Sequence, residues 1–76
     1  MVRERAMGNA ILIEVNGEKR ETPPGTTVRT LLDQLGLNVG RVAIEYNLQI
    51  LPKRQWESTE VAPGDRLEIV QFVGGG

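Results

Sequence analysis

The chain contains no cysteine and no histidine. Without cysteine there is no disulfide staple, no thiol nucleophile and no thiolate metal ligand. Without histidine, a zinc site or a histidine acid–base pair is excluded too, and with them most small-domain catalysis. A charge excess of either sign is also missing: nine Lys and Arg stand against ten Asp and Glu, a net charge of −1 at neutral pH. That balance argues against nucleic acid as the main partner. No apolar stretch approaches the length of a membrane span. The first residues, Met1-Val2-Arg3-Glu4-Arg5-Ala6, lack the apolar core of a signal peptide. Seventy-six residues make one small domain, able to bury about 60% of its unfolded surface. The expectation is a cytoplasmic domain with little chemistry in its side chains and no metal or cofactor of its own. Met7 offers a second start, so residues 1–8 read as a flexible extension ahead of a domain over residues 9–73.

What is present is a clear order of elements. Ala10 to Val15 is an apolar run rich in β-branched residues and predicts a strand. Asn16-Gly17 is a strong signal for a tight hairpin turn, and Glu18 to Thr22 reads as a polar return strand at an edge. Pro23-Pro24-Gly25 stops it, because proline cannot donate to a ladder. Thr26 or Thr27 is the expected cap of one helix, with Val28, Leu31, Leu32 and Leu35 forming a single apolar stripe and Gly36 closing it. Val42 to Tyr46 alternates as a strand does. Asn47 marks a turn, Leu48 to Leu51 a short strand, and Pro52 to Trp56 a single tight turn. Ala62-Pro63-Gly64-Asp65 has the proline and glycine of a type II turn, and residues 66–73 form the last strand. A hairpin feeding a helix whose stripe must be covered predicts an α+β fold, a mixed sheet folded over the helix in the β-grasp manner. The last strand is then expected in the middle of the sheet, beside the first.

Two features point outward rather than to the core. Gly74-Gly75-Gly76 follows the apolar last strand directly. Three residues without Cβ pass through a slot too narrow for other residue types, and fully extended they reach roughly 10 Å. A carboxylate on such a tether suits delivery to another protein's active site. The second feature is alternation. Ile11, Ile13 and Val15 are expected to face the helix, as are Leu67 and Ile69, which leaves Leu12, Ala43, Val70 and Phe72 as an exposed apolar patch for a protein partner. Trp56 reads as filler beneath a loop, Asp65 as a turn residue, and Lys53, Arg54 and Arg66 as solvated charges. Asp33 and Glu57 offer no paired carboxylates for catalysis.

Ile50-Leu51-Pro52-Lys53-Arg54-Gln55-Trp56, Pro63-Gly64-Asp65 and the stretch from Glu68 to Gly76 resemble the ThiS family, the sulfur carriers of thiamine biosynthesis. Asn16-Gly17 and the helix Thr27-Val28…Leu31-Leu32…Leu35 fit that family as well. The resemblance covers residues 10–76; its most specific parts are the Pro-basic-x-x-Trp segment and the glycines after a Phe-Val strand end. It implies a ubiquitin-like β-grasp with a mixed four- to five-stranded sheet over one main helix. It further implies that a ThiF-like enzyme uses ATP to adenylate the carboxylate of Gly76, with Gly74 and Gly75 as tether. A persulfide supplied by a cysteine desulfurase then leaves a thiocarboxylate, and a ThiG-like thiazole synthase takes the sulfur. On this reading the chain is a carrier, not an enzyme, and a monomer when free. Sibling carriers for molybdopterin synthesis or tRNA thiolation share the fold and the terminal glycines, as does a ubiquitin-like protein modifier. A β-grasp interaction domain with an inert tail is the reading of a different class.

Overall fold

The computed structural model describes residues 9–72. The expected extension over residues 1–8 and the tail Gly74, Gly75 and Gly76 lie outside the described residues. The chain opens with β1 (Ile11–Val15) and β2 (Glu18–Thr22), paired antiparallel from Ile11 opposite Thr22 to Val15 opposite Glu18. Asn16 and Gly17 join them with φ of 51° and 84°, the two left-handed residues that a type I′ turn requires. Asn16 also acts across the sheet. Its Oδ1 accepts the Ile69 N–H at 2.7 Å and its Nδ2 donates to the Ile69 carbonyl at 3.3 Å. The side-chain amide thereby continues the pairing of β1 for one more rung after the backbone has turned away.

The helix α1 (Val28–Leu35) starts and stops where its sequence dictates. Thr27 Oγ1 accepts the Thr30 N–H at 3.1 Å, and Thr30 Oγ1 accepts the Thr27 N–H at 2.8 Å, a reciprocal capping box built from two threonines. At the other end Gly36 is left-handed with φ 73°, and the Leu37 N–H reaches back to the Leu32 carbonyl at 3.1 Å. Val28, Leu31 and Leu32 are fully buried.

The remaining strands are β3 (Val42–Tyr46), β4 (Gln49–Ile50) and β5 (Arg66–Gln71). The sheet order is β2-β1-β5-β3-β4, with β5 central, parallel to β1 and antiparallel to β3. The expected mixed sheet over one helix is therefore observed. Boundaries differ slightly: β1 begins at Ile11 rather than Ala10, and β4 is shorter than Leu48–Leu51. Leu48 is excluded because it is left-handed, with φ 73° beside 51° at Asn47. The two form the second tight hairpin turn, and Leu48 is a branched side chain in a conformation that disfavours a Cβ. Ile13, Val42, Ile44, Leu67 and Ile69 from the sheet close on α1, joined by Trp56 and Val61. No helix among the described residues is long and apolar enough to cross a membrane.

Asp65 does more than turn the chain. Its N–H closes the Ala62–Asp65 turn on the Ala62 carbonyl at 3.0 Å, with Gly64 left-handed at φ 85°. Its Oδ2 accepts the Ala62 N–H at 2.7 Å and the Tyr46 hydroxyl, and its Oδ1 accepts from Asn47 Nδ2 at 3.2 Å. Asn47 Oδ1 in turn accepts the Arg66 N–H at 2.9 Å. One carboxylate thus ties the β3–β4 turn to the start of β5. Burial, then the hydrogen bond to Asp65 and its negative charge, push the Tyr46 phenol from 10.0 up to about 12. The neutral phenol is favoured in the folded state, so its contribution is complete below about pH 10, where the unfolded chain also keeps the proton. As pH rises from about 10 through about 12 only the unfolded state loses the proton, and the contribution disappears. Tyr46 is the one tyrosine, so tyrosinate absorbance reports it alone. The expected midpoint is near 12 in the folded protein, and Tyr46→Phe should remove this part of the alkaline decline in stability. A midpoint at the ordinary tyrosine value would mean that neither the burial of Tyr46 nor its contact with Asp65 holds in solution.

Candidate functional site

The root of the glycine tail is defined by the last ladder bond described, from the Phe72 N–H to the Arg41 carbonyl at 2.8 Å. Residues 73–76 follow it. β5 therefore ends at the centre of the sheet, alongside β3. Its alternation divides the side chains as expected: Leu67 and Ile69 are buried against α1, whereas Val70 is 55% and Phe72 57% exposed on the outer face. Val70 lies directly opposite Ala43 in β3, so Ala43, Val70 and Phe72 do form a contiguous apolar strip leading to the tail.

Leu12 does not belong to that strip, and here the expectation is corrected. It is exposed and on the outer face, but at the other end of the sheet. The parallel register sets Glu14 beside Arg66, and the Gly64 N–H donates to the Leu12 carbonyl at 2.8 Å. Leu12 is therefore level with Gly64, about 20 Å along the strand from Val70 at the usual rise per residue. Alternation placed Leu12 on the correct face; the level along that face depends on a parallel pairing that alternation does not carry.

The place expected for Leu12 is taken by a residue not anticipated. Ile50 pairs with Glu45, which puts it on the outer face one rung from Ala43, with 69% of its surface exposed. Leu48, at the tip of the same hairpin, is 75% exposed. The signal for it in the sequence is alternation, which over the expected strand Leu48–Leu51 sets Leu48 and Ile50 on one face and Leu51 on the other.

Among the other singled-out residues Trp56 has a structural role and the charged ones are surface groups. Trp56 is buried, with its Nε1–H donating to the Leu51 carbonyl at 3.0 Å. Arg66 meets Glu14 at 3.7 Å, and Arg29 meets Asp33 one helical turn on. Lys53 and Arg54 line a shallow depression with Arg29, Trp56 and Glu57. Among the described residues no three acidic side chains converge as metal ligands. Among the described residues the candidate site is thus a surface, the strip of Ala43, Val70 and Phe72, after which the sequence runs on to three glycines.

A hairpin, one helix and a sheet of order β2-β1-β5-β3-β4 define a ubiquitin-like β-grasp domain. Residues 9–76 match the ThiS family, and the chain belongs to it. It is 34% identical to the sulfur carrier protein ThiS of Escherichia coli over 61 residues, 80% of this chain and 92% of that protein. It is similar to the crystal structure of a thiamine biosynthesis protein, ThiS, from Geobacter metallireducens, with TM-score 0.71 and 31% identity over 87% of this chain and 100% of that one. It is also 47% identical over 62 residues to a thiazole synthase of Paramagnetospirillum magneticum, covering 82% of this chain. The chain spans 19% of the length of that synthase.

Proposed function

We propose that this protein is a sulfur carrier for the thiazole of thiamine, with the carboxylate of Gly76 as its reactive group. The observation that carries the reading is the order of the chain: in a ThiS-family domain the central strand β5, with the exposed Val70 and Phe72 at its end, is followed in the sequence by three glycines. A carboxylate is a poor electrophile. In the proposed cycle a ThiF-like enzyme lets the Gly76 carboxylate oxygen attack the α-phosphorus of ATP, releasing pyrophosphate and leaving an acyl adenylate. The terminal sulfur of a persulfide, supplied by a cysteine desulfurase, then attacks the carbonyl carbon and expels AMP. A thiol, as two-electron reductant, cleaves the resulting S–S bond and leaves the thiocarboxylate. A thiazole synthase accepts that sulfur, a partner suggested by the thiazole synthase that contains a stretch 47% identical to this chain. The absence of cysteine and histidine fits this division of labour, since all reacting groups other than the terminus come from the partners.

The test is reconstitution. The protein is incubated with ATP, the activating enzyme, a cysteine desulfurase and cysteine, and its intact mass is taken. A gain equal to replacing one oxygen by sulfur supports the carrier. Failure to form even the adenylate with an activating enzyme proven on its own carrier sinks the reading.

The strip gives a separate expectation. Phe72→Ala should weaken binding to the activating enzyme while costing less than about 1 kcal/mol of stability, as for exposed positions in general. Leu12→Ser should leave that affinity unchanged, because Leu12 stands at the far end of the face. A large fall in melting temperature for Phe72→Ala would show instead that Phe72 serves the core.

A further inference from the structure

The outer face carries a pair of charges that the fold does not need. Glu45 of β3 and Glu68 of β5 are direct partners across the sheet. The Phe72 N–H donates to the Arg41 carbonyl and the Asn47 N–H to the Arg66 carbonyl, each at 2.8 Å. Pairs of this parity are therefore the hydrogen-bonded ones, with Cα atoms about 5.5 Å apart. Their side chains rise from the same face, and two like charges directly opposite each other work against the sheet. Among the described residues the ion pairs are Arg29 with Asp33 and Arg66 with Glu14. Arg66, the cation two residues before Glu68 on the same strand face, is thus directed to Glu14 instead.

The surroundings of the pair are apolar on two sides. Ile50 lies on the far side of Glu45, and Ala43 with Val70 form the next rung toward the tail, followed by Phe72. Ile50, Val70 and Phe72 are all more than half exposed. Two carboxylates flanked by exposed apolar side chains, two rungs before Phe72 on the same face, form a complementary seat for one cation.

We infer that Glu45 and Glu68 together receive an arginine side chain of the activating enzyme, with Ile50, Ala43, Val70 and Phe72 packing around it. The inference rests on the reading of this face as the docking face of a carrier. The occupant follows from charge. The enzyme must bring a carboxylate against the triphosphate of ATP, two anions, so its site and approaches carry positive potential. A face with paired carboxylates on the strand that precedes the glycines is steered toward that potential. Arginine fits better than lysine, because its planar fork of donors spans two carboxylate acceptors at once. The repulsion carried in the free protein is relieved in the complex, which makes the pair a determinant of partner choice rather than of folding.

The experiment separates the pair from the face. In the free protein, Glu45→Gln and Glu68→Gln are each expected to raise the melting temperature by about 2–5 °C, as relief of a cross-strand repulsion does in a domain of this size. With the activating enzyme, ATP–pyrophosphate exchange is measured against carrier concentration at low and high salt. Each substitution should raise KM about tenfold at low salt with kcat unchanged, as expected for loss of uniform binding. The effect should shrink at high salt. The double variant should cost less than the product of the singles, since both carboxylates share one cation. If both glutamine variants keep the wild-type KM while Phe72→Ala raises it, the cation seat is wrong and the docking face stands. If Phe72→Ala, Val70→Ser and both glutamine variants all keep the wild-type KM, the docking face itself is wrong.

Discussion

Replacing Gly76 by valine is expected to lower adenylation by a hundredfold or more, on the order of what misplacement of a reacting atom by about 1 Å costs, while thermal unfolding stays unchanged. The argument begins with the missing Cβ. A glycine at the last position brings its carboxylate forward on a methylene with no branch, so an enclosing channel fits backbone alone. Valine adds a branched group at the carbon next to the reacting carboxylate. Alanine at the same position adds one methyl and should fall between. Deleting Gly76 tests reach instead of width, because the new terminal carboxylate stops short by up to about 3.6 Å. Every buried apolar side chain described lies between Ile13 and Ile69, and the last ladder bond described is made by the Phe72 N–H. Pyrophosphate exchange and intact mass give the activity, and circular dichroism melting gives the stability. Normal adenylation of the valine variant would remove the narrow-slot argument and with it the reason for a glycine terminus.

What the sequence made legible is what local chemistry decides. The capping threonine, the Val28-Leu31-Leu32-Leu35 stripe and Gly36 delimit α1 within one stretch of chain. Asn16-Gly17 specifies its turn by backbone conformation alone. The face of each strand residue follows from alternation, which is why the exposure of Val70 and Phe72 is legible in advance of any structure. What stayed hidden is set by contacts between distant segments. The amide of Asn16 pairs with Ile69, 53 residues on, and no local signal marks an asparagine in a turn as a substitute strand residue. The parallel register of β1 against β5 sets Leu12 level with Gly64, away from Val70 on the same face. The antiparallel register of β3 against β5 is what brings Glu45 opposite Glu68. Alternation puts both on the outer face; only the register makes them neighbours. Asp65 is legible as a turn residue, whereas its hold on Tyr46 depends on the β3–β4 hairpin meeting the turn before β5. The tail is the opposite case: its reading comes from composition and position in the chain alone.

Trp56→Ala should be the most damaging substitution to the fold, costing about 3–5 kcal/mol by loss of burial and the cavity left behind. The turn that carries Trp56 explains why. Gln55 N–H donates to the Pro52 carbonyl at 2.9 Å and Trp56 N–H to the Lys53 carbonyl at 3.0 Å, a 3-10 turn over Lys53–Gln55 that swings the indole under the sheet, where it is 3% exposed. The same segment completes the start of α1. The Arg29 N–H donates to the Trp56 carbonyl at 3.1 Å and the Val28 N–H to the Thr59 carbonyl at 2.9 Å, satisfying donors that a helix leaves free in its first turn. Losing the indole therefore empties part of the core and loosens the platform beneath β3 and β5, the two strands that present the apolar strip and the tail. A domain of this size has roughly 4–11 kcal/mol in total, so the alanine variant is expected to approach the unfolding threshold at physiological temperature. Trp56→Phe keeps an aromatic ring but leaves the Leu51 carbonyl without its donor, and should cost about 1–3 kcal/mol. Because Trp56 is the single tryptophan, its fluorescence is lost in both variants, and the denaturant midpoints must be read by circular dichroism. A cost below about 1 kcal/mol for the alanine variant, the level of an exposed position, would show that the Pro52–Trp56 segment decorates the domain rather than supporting it.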